Sequence, residues 1–318
     1  MLVVSLRDMA VDNGGAVTPA TVWRLQPVEA ATAWSPPPAQ LLSHVDMADP
    51  LADIAGAHVC FIVHGFNVDR DGGYTELGAL AQELAGGGAL LPGEDLTTTG
   101  VNAFAPVLWP GDWILPINYP FLLGDIRKAA QNFADLVNHS PTGPSRISFV
   151  THSMGARVVL ETVQRIVTPR SAGAKIPIVD TVVFTAAAVS DDVLDDATYA
   201  AAVGAFRRIV VLSSVADETL RWAFPAGEAV ERALWFNDRG DDTALGRDGP
   251  KLKPNSPARS KISWYSMDTL DHSQYLPRPS EPTPGFVNGW SAKSLDVARL
   301  AQAIFDDTPT PVPAKAIS

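Results

Sequence analysis

Short apolar runs alternate with longer amphipathic segments along most of the chain. Six runs of strand length carry apolar side chains at nearly every position, at 58–63, 102–108, 146–150, 178–187, 208–212 and 262–266. Five intervening segments repeat their apolar positions three or four residues apart, which predicts helices at 73–84, 120–138, 154–167, 191–203 and 293–304. Because near-continuous apolar strands need cover on both faces, the pattern predicts an α/β fold with a mostly parallel, twisted sheet between two layers of helices.

The two ends of the chain follow different patterns. Alternation near the start predicts strands at 2–7 and 21–26, after which a proline-rich segment leads over the surface to residue 57. Three prolines in five residues predict a flexible tail at 307–318. We expect a single domain over 1–306, in which 1–57 supplies the N-terminal strands and connection, and in which 109–121 and 231–257 are insertions near a functional site.

Charge and composition narrow the classes of partner and location. The 318 residues include 24 basic and 35 acidic side chains, for a net charge of -11, and no long basic cluster, so we expect no nucleic-acid partner. No apolar run approaches the roughly 20 residues of a membrane span, and the first residues do not resemble a signal peptide. The lone Cys60 cannot form an intramolecular disulfide. These features favour a cytoplasmic protein.

The sequence SFVTHSMGAR at 148–157 places Ser153 at a corner between a predicted strand and a predicted helix. The five residues Thr151-His152-Ser153-Met154-Gly155 match the nucleophile elbow G-x-S-x-G, with Thr151 in place of the first glycine. Gly155 relieves crowding where such a corner lies against the neighbouring strand. The alternative is an ordinary loop serine that caps the helix.

A second predicted strand ends in Val63-His64-Gly65-Phe66. A glycine at that point lets the backbone turn sharply and leaves N–H groups available for an anionic oxygen. With the elbow, this loop resembles the α/β-hydrolase superfamily, and the further segments Trp109-Pro110, Ser214 to Asp217 and His272-Ser273 resemble an uncharacterised bacterial branch of esterase/lipase-like serine hydrolases. The resemblance implies an oxyanion hole formed by the backbone N–H groups of Phe66 and Met154.

The superfamily orders its catalytic triad as serine, acid, histidine. His272 is the only histidine after Ser153, and it follows the predicted strand at 262–266, so it is the candidate base. Asp217 follows the strand at 208–212 and is the candidate acid, whereas Asp191 and Asp192, one strand earlier, remain alternatives. Of the other histidines, we expect His64 to brace the oxyanion loop.

An aromatic segment follows the predicted strand at 102–108. Trp109, Trp113 and Tyr119 are candidate residues of a substrate pocket, although a loop that packs its tryptophans on the scaffold fits the pattern equally well. The chain lacks phosphate-loop, dinucleotide and zinc motifs, so we expect neither a cofactor nor a metal. The sequence therefore predicts a serine hydrolase acting on a small-molecule carboxylic ester. An amidase, a thioesterase, an acyltransferase and a non-catalytic binding module are the alternatives.

Overall fold

A computed structural model of the chain describes residues 1–9, 15–25, 42–45, 48–85, 100–101, 103–111, 119–168, 173–225, 243–277, 292–308, 310 and 313–317. Within these ranges the strands are β1 Leu2–Arg7, β2 Val17–Leu25, β3 Leu42–His44, β4 His58–Val63, β5 Ala103–Leu108, β6 Arg146–His152, β7 Ile178–Thr185, β8 Arg208–Ser213 and β9 Ile262–Ser266. The helices are α1 Arg70–Leu84, α2 Tyr119–His139, α3 Gly155–Val167, α4 Ala200–Ala205, α5 at 218–225, α6 Leu245–Asp248 and α7 Ala292–Phe305.

The described strands form one sheet in the order β3-β2-β1-β5-β4-β6-β7-β8-β9. Only β2 pairs antiparallel with its neighbours, and every other pairing in the sheet is parallel. The prediction of a mostly parallel α/β sheet is therefore confirmed. Because the parallel strands end at one edge, the segments that follow β4, β6, β8 and β9 come together there.

Helices cover both faces of the sheet, as the strand composition requires. Phe61 of β4 lies beside Ala105 of β5, and its ring packs edge-on against Phe133 of α2 with centroids 5.0 Å apart. Phe104 precedes Ala105 and therefore points to the opposite face, where it packs against Phe305 of α7. This burial on both faces explains why the central strands read as continuous apolar runs. No described helix is long and apolar enough to cross a bilayer.

Several elements differ from the sequence prediction. The predicted helix at 191–203 is wrong, because two short 3₁₀ turns occupy most of it before α4 begins at Ala200. Asp196 is extended there, and its side chain accepts from the N–H of Thr198, which interrupts any continuous helix. Strand β3 lies in the segment expected to be a connection. Strand β7 ends at Thr185, two residues early, because Ala186 has a φ of 45°.

Candidate active site

Ser153 occupies the turn between β6 and α3 with a φ of 53°, a left-handed conformation that non-glycine residues rarely adopt. Hydrogen bonds on both sides hold it there. Its N–H donates to the carbonyl of Thr185 at 3.0 Å, and its carbonyl accepts from Ala156 and Ala188 at 3.1 Å each. Such a conformation costs about 1–3 kcal/mol and persists only where the surroundings enforce it. The turn thereby presents the serine hydroxyl at the carboxyl edge of the sheet.

Two glycines let the elbow and the loop after β4 approach each other. A Cβ at Gly155 would lie 2.6 Å from the carbonyl oxygens of both Val63 and His64. A Cβ at Gly65 would lie 2.7 Å from the Cβ of Ser153. Real Cβ atoms do not come so close to other heavy atoms, so both positions require glycine. The structure thus accounts for Gly155 as a packing requirement of the elbow.

We expect Gly155→Ala to destabilise the protein by about 1–3 kcal/mol, because the added methyl group meets rigid backbone oxygens. Gly124→Ala is the matched control. Gly124 lies exposed within α2, where its added Cβ would meet no described atom within 4 Å outside the backbone of its own helix, and this variant should gain about 0.5–1 kcal/mol from the lower entropy of its unfolded chain. Urea denaturation measures the free energy of unfolding of both variants. Equal stability of the two variants would contradict the packing account.

His272 lies in the loop after β9, at the start of the short 3₁₀ turn His272–Gln274. The Asp271 side chain caps this turn by accepting from the N–H of His272 at 2.8 Å. The hydroxyl of Ser214, after β8, donates to the carbonyl of Leu270 at 2.6 Å and joins the loop to the neighbouring strand. These contacts bring Nε2 of His272 to 3.0 Å from Oγ of Ser153.

Asp217 is fully buried after β8 and makes two hydrogen bonds with different oxygens. Its Oδ2 lies 2.8 Å from Nδ1 of His272, and its Oδ1 accepts from the N–H of Leu220 at 2.8 Å, which caps α5. An ionised carboxylate only accepts, so Nδ1 carries the proton and Nε2 presents a lone pair to the Ser153 hydroxyl. The side chain thus orients the histidine while its second oxygen anchors the acid to a helix.

Asp217 lies in a buried environment. Tyr275 is fully buried, and burial together with the negative charge of Asp217 holds the pKa of Tyr275 well above its usual range. A low-dielectric environment strengthens the attraction between a carboxylate and an imidazolium.

The alternative acids have other partners. Asp191 is buried, and its Oδ2 accepts from the hydroxyl of Thr243 at 2.7 Å. Its carbonyl also accepts from the N–H of Lys251. Asp192 accepts from the hydroxyl of Ser190 at 2.8 Å. The bonds of Asp191 fasten the segment around α6 to the segment after β7, and the bond of Asp192 is local, whereas the carboxylate of Asp217 contacts the ring of His272.

The candidate oxyanion donors, the N–H groups of Phe66 and Met154, directly follow Gly65 and Ser153 in the chain. Among the described residues, none accepts a hydrogen bond from the backbone N–H of Phe66 or of Met154. Asn67 has a φ of 58°, and its N–H donates to the carbonyl of Gly111 at 2.6 Å, which fixes the loop that contains Phe66. Both N–H groups are therefore without an acceptor among the described residues, and Gly65, which precedes Phe66, packs against Ser153.

His64 braces the loop after β4 that contains Phe66. Its Nδ1 lies 2.8 Å from the carbonyl of Gly65 and must donate, while its Nε2 accepts from the backbone N–H of Trp109 at 3.1 Å. Both bonds require the neutral ring with the proton on Nδ1. The indole N–H of Trp109 donates in turn to the carbonyl of His64 at 2.9 Å.

Three aromatic residues are expected in a substrate pocket, and the structure describes the position of two of them. Trp109 is fully buried and stacks on the ring of His64, with centroids 5.6 Å apart, so it supports the loop after β4. The sequence does not separate the two roles, since both place a tryptophan just after β5. Tyr119 is the first residue of α2, and Trp113 lies outside the described residues.

Comparisons with known proteins add the following findings. No curated protein sequence matches the chain. Among solved structures, an inhibited esterase B from Lactobacillus rhamnosis is 9% identical, with a TM-score of 0.40, over 90% of this chain and 86% of that one. An esterase from Pyrobaculum calidifontis is 13% identical, with a TM-score of 0.34, over 81% and 78%. The lin2722 gene product of Listeria innocua is 10% identical, with a TM-score of 0.36, over 78% and 93%.

The profile of one protein family, described as "Alpha/beta hydrolase of unknown function (DUF900)", matches residues 43–238. This match spans more than half of the chain. It includes the loop at His64 and Gly65, the elbow at Ser153 and the turn at Asp217, whereas His272 lies beyond its end.

Proposed function

Because the chain belongs to the DUF900 family of alpha/beta hydrolases, we propose that it is a serine hydrolase that cleaves carboxylic esters through an acyl-enzyme intermediate. One observation carries the proposal. Oγ of Ser153 lies 3.0 Å from Nε2 of His272, whose Nδ1 lies 2.8 Å from the buried carboxylate of Asp217. A serine bonded to a base that is itself oriented by an acid is the arrangement that activates a hydroxyl for attack on a carbonyl.

Acylation uses all three side chains. Oγ of Ser153 attacks the ester carbonyl while Nε2 of His272 takes its proton, and the Asp217 carboxylate stabilises the resulting imidazolium. The N–H groups of Phe66 and Met154 bind the oxyanion, and such donors typically contribute about 2.7–4 kcal/mol each to the stability of the transition state. The imidazolium then gives its proton to the departing alkoxide, which leaves as the alcohol.

Deacylation repeats the sequence with water as the nucleophile. His272 takes a proton from water as the oxygen attacks the acyl carbonyl, and it returns that proton to Oγ of Ser153 as the acid product leaves. Each proton thus passes through Nε2. The proposed reaction draws on no metal or cofactor.

The reaction is tested by turnover of p-nitrophenyl esters from acetate to laurate, beside thioester and amide analogues of the same acyl groups. We expect hydrolysis of the esters, with kcat/KM varying with acyl length, and loss of turnover in Ser153→Ala. If the thioester or the amide is turned over faster, that class of compound is the preferred substrate and the ester is not. Ester turnover that persists in Ser153→Ala would show that Ser153 is not the nucleophile.

A further inference from the structure

His152, the residue before Ser153 at the end of β6, contacts the loop that carries the candidate base. Its Nε2 lies 3.0 Å from the backbone carbonyl oxygen of His272. A carbonyl oxygen only accepts, so Nε2 must carry a proton and donate it. The two imidazole rings lie 4.9 Å apart between centroids, at an interplanar angle of 50°. The side chain thus joins the strand of the nucleophile directly to the backbone of the base.

The position of the His152 ring is fixed on several sides. Only 9% of the residue is exposed. A Cβ at Gly65 would lie 3.1 Å from Nδ1 of His152, so the ring packs against the oxyanion loop. The ring of Tyr275, which is fully buried, lies 6.3 Å away between centroids. A ring held between these neighbours aims its Nε2–H at one acceptor with little freedom to move.

The other hydrogen bonds that hold the backbone of the base loop, residues 267–274, do not reach β6, and one of them comes from Lys293 of α7 to the carbonyl of Thr269. The bonds of Asp271 with His272 and Gln274 are internal to the turn. The bond from Ser214 to Leu270 and the bond from Met267 to Ser213 join the loop to the strand that precedes the acid. These contacts fix the histidine relative to the acid, whereas the bond from His152 fixes it relative to the serine.

We propose that His152 is a positioning residue that holds the backbone of His272 at the distance at which Nε2 reaches Oγ of Ser153. The inference rests on the proposed function for its catalytic consequence. His152 transfers no proton to substrate. It acts through His272, so its loss lowers the rate of the steps that use the base and leaves substrate binding intact.

Two substitutions separate the effect of the hydrogen bond from the effect of the aromatic ring. His152→Phe keeps an aromatic ring but has no donor, and His152→Gln keeps an N–H donor at the reach of Nε2 but has no ring. Because a displacement of about 1 Å of a catalytic group can cost ~10²-fold, we expect kcat of His152→Phe to fall on that order, with little change in KM. His152→Gln should recover most of the lost kcat.

Hydrogen exchange supplies a second measurement that does not depend on activity. The amides of Leu270 and Gln274 are bonded within the base loop, to Met267 and Asp271. They should exchange faster in His152→Phe than in the wild type and in His152→Gln, with similar Tm values for the two variants.

The inference would be overturned if His152→Phe had the kcat of the wild type and the same rate of amide exchange in the base loop. Equal losses of kcat in both variants that follow their losses in Tm would also overturn it, since they would indicate a purely structural role. A wild-type protein that neither hydrolyses esters nor reacts at Ser153 would refute the proposed function instead. The exchange comparison would still decide whether His152 anchors the loop.

Discussion

Asp217→Asn is expected to lower kcat for p-nitrophenyl butyrate by about 10⁴-fold, the loss known for the acid of a serine triad. In the wild type, Oδ2 of Asp217 accepts from Nδ1 of His272. An amide NH₂ at that position would instead donate to Nδ1, which leaves the proton on Nε2 and removes the lone pair that accepts from Ser153. The amide oxygen can still accept from the N–H of Leu220, so the cap of α5 and the fold should remain.

Asp192→Asn is the matched control for the choice of acid. Its carboxylate accepts from the hydroxyl of Ser190, and an asparagine oxygen can make the same bond. We therefore expect kcat within a few-fold of the wild type, as for substitutions away from a functional network. Steady-state kinetics and Tm of both variants are compared. A large loss in Asp192→Asn beside a small one in Asp217→Asn would assign the acid to the earlier strand.

His272→Ala is expected to lower kcat by an amount on the order of 10⁶-fold, because the base and the nucleophile act as a unit. The shape of the pH profile is the sharper measurement. In the wild type, kcat/KM for a neutral ester should fall tenfold per pH unit on the acid side, since only the neutral imidazole accepts the serine proton. The residual activity of His272→Ala should lack this limb, because alanine carries no group that can take the serine proton.

His64→Ala is the control for the base. Its ring braces the oxyanion loop through the carbonyl of Gly65 and the N–H of Trp109. Removing it should lower Tm and kcat but leave the position and slope of the acid limb unchanged. A retained limb in His272→Ala, or a limb lost in His64→Ala, would show that another group is the base.

Local patterns in the sequence were sufficient to predict the architecture and the elements that hold the candidate site. The strands β4 to β8 read as apolar runs because they are buried on both faces, and this pattern also predicts the parallel sheet. The elbow was recognisable because one glycine, Gly155, must sit where backbone oxygens leave no room for a side chain. The candidate base could be selected because one histidine, His272, follows Ser153 in the chain.

Features that depend on tertiary contacts could not be predicted in this way. Strand β3 has only three residues, too few for alternation to show. The segment at 191–203 has helical spacing, but local side-chain bonds at Asp196 divide it. The contact between His152 and His272 joins residues 120 positions apart, and no spacing in the sequence records it. The burial of Trp109 likewise depends on where the loop after β4 lies.

Reaction with a fluorophosphonate probe tests the central claim most directly, because only an activated serine attacks phosphorus quickly. The probe forms a bond from Oγ to phosphorus and releases fluoride, so intact mass reports the adduct and peptide mapping locates it. We expect one adduct, on Ser153, that is absent from Ser153→Ala and forms much more slowly in His272→Ala. An unlabelled wild-type protein, or an adduct on a different serine, would contradict the proposed triad.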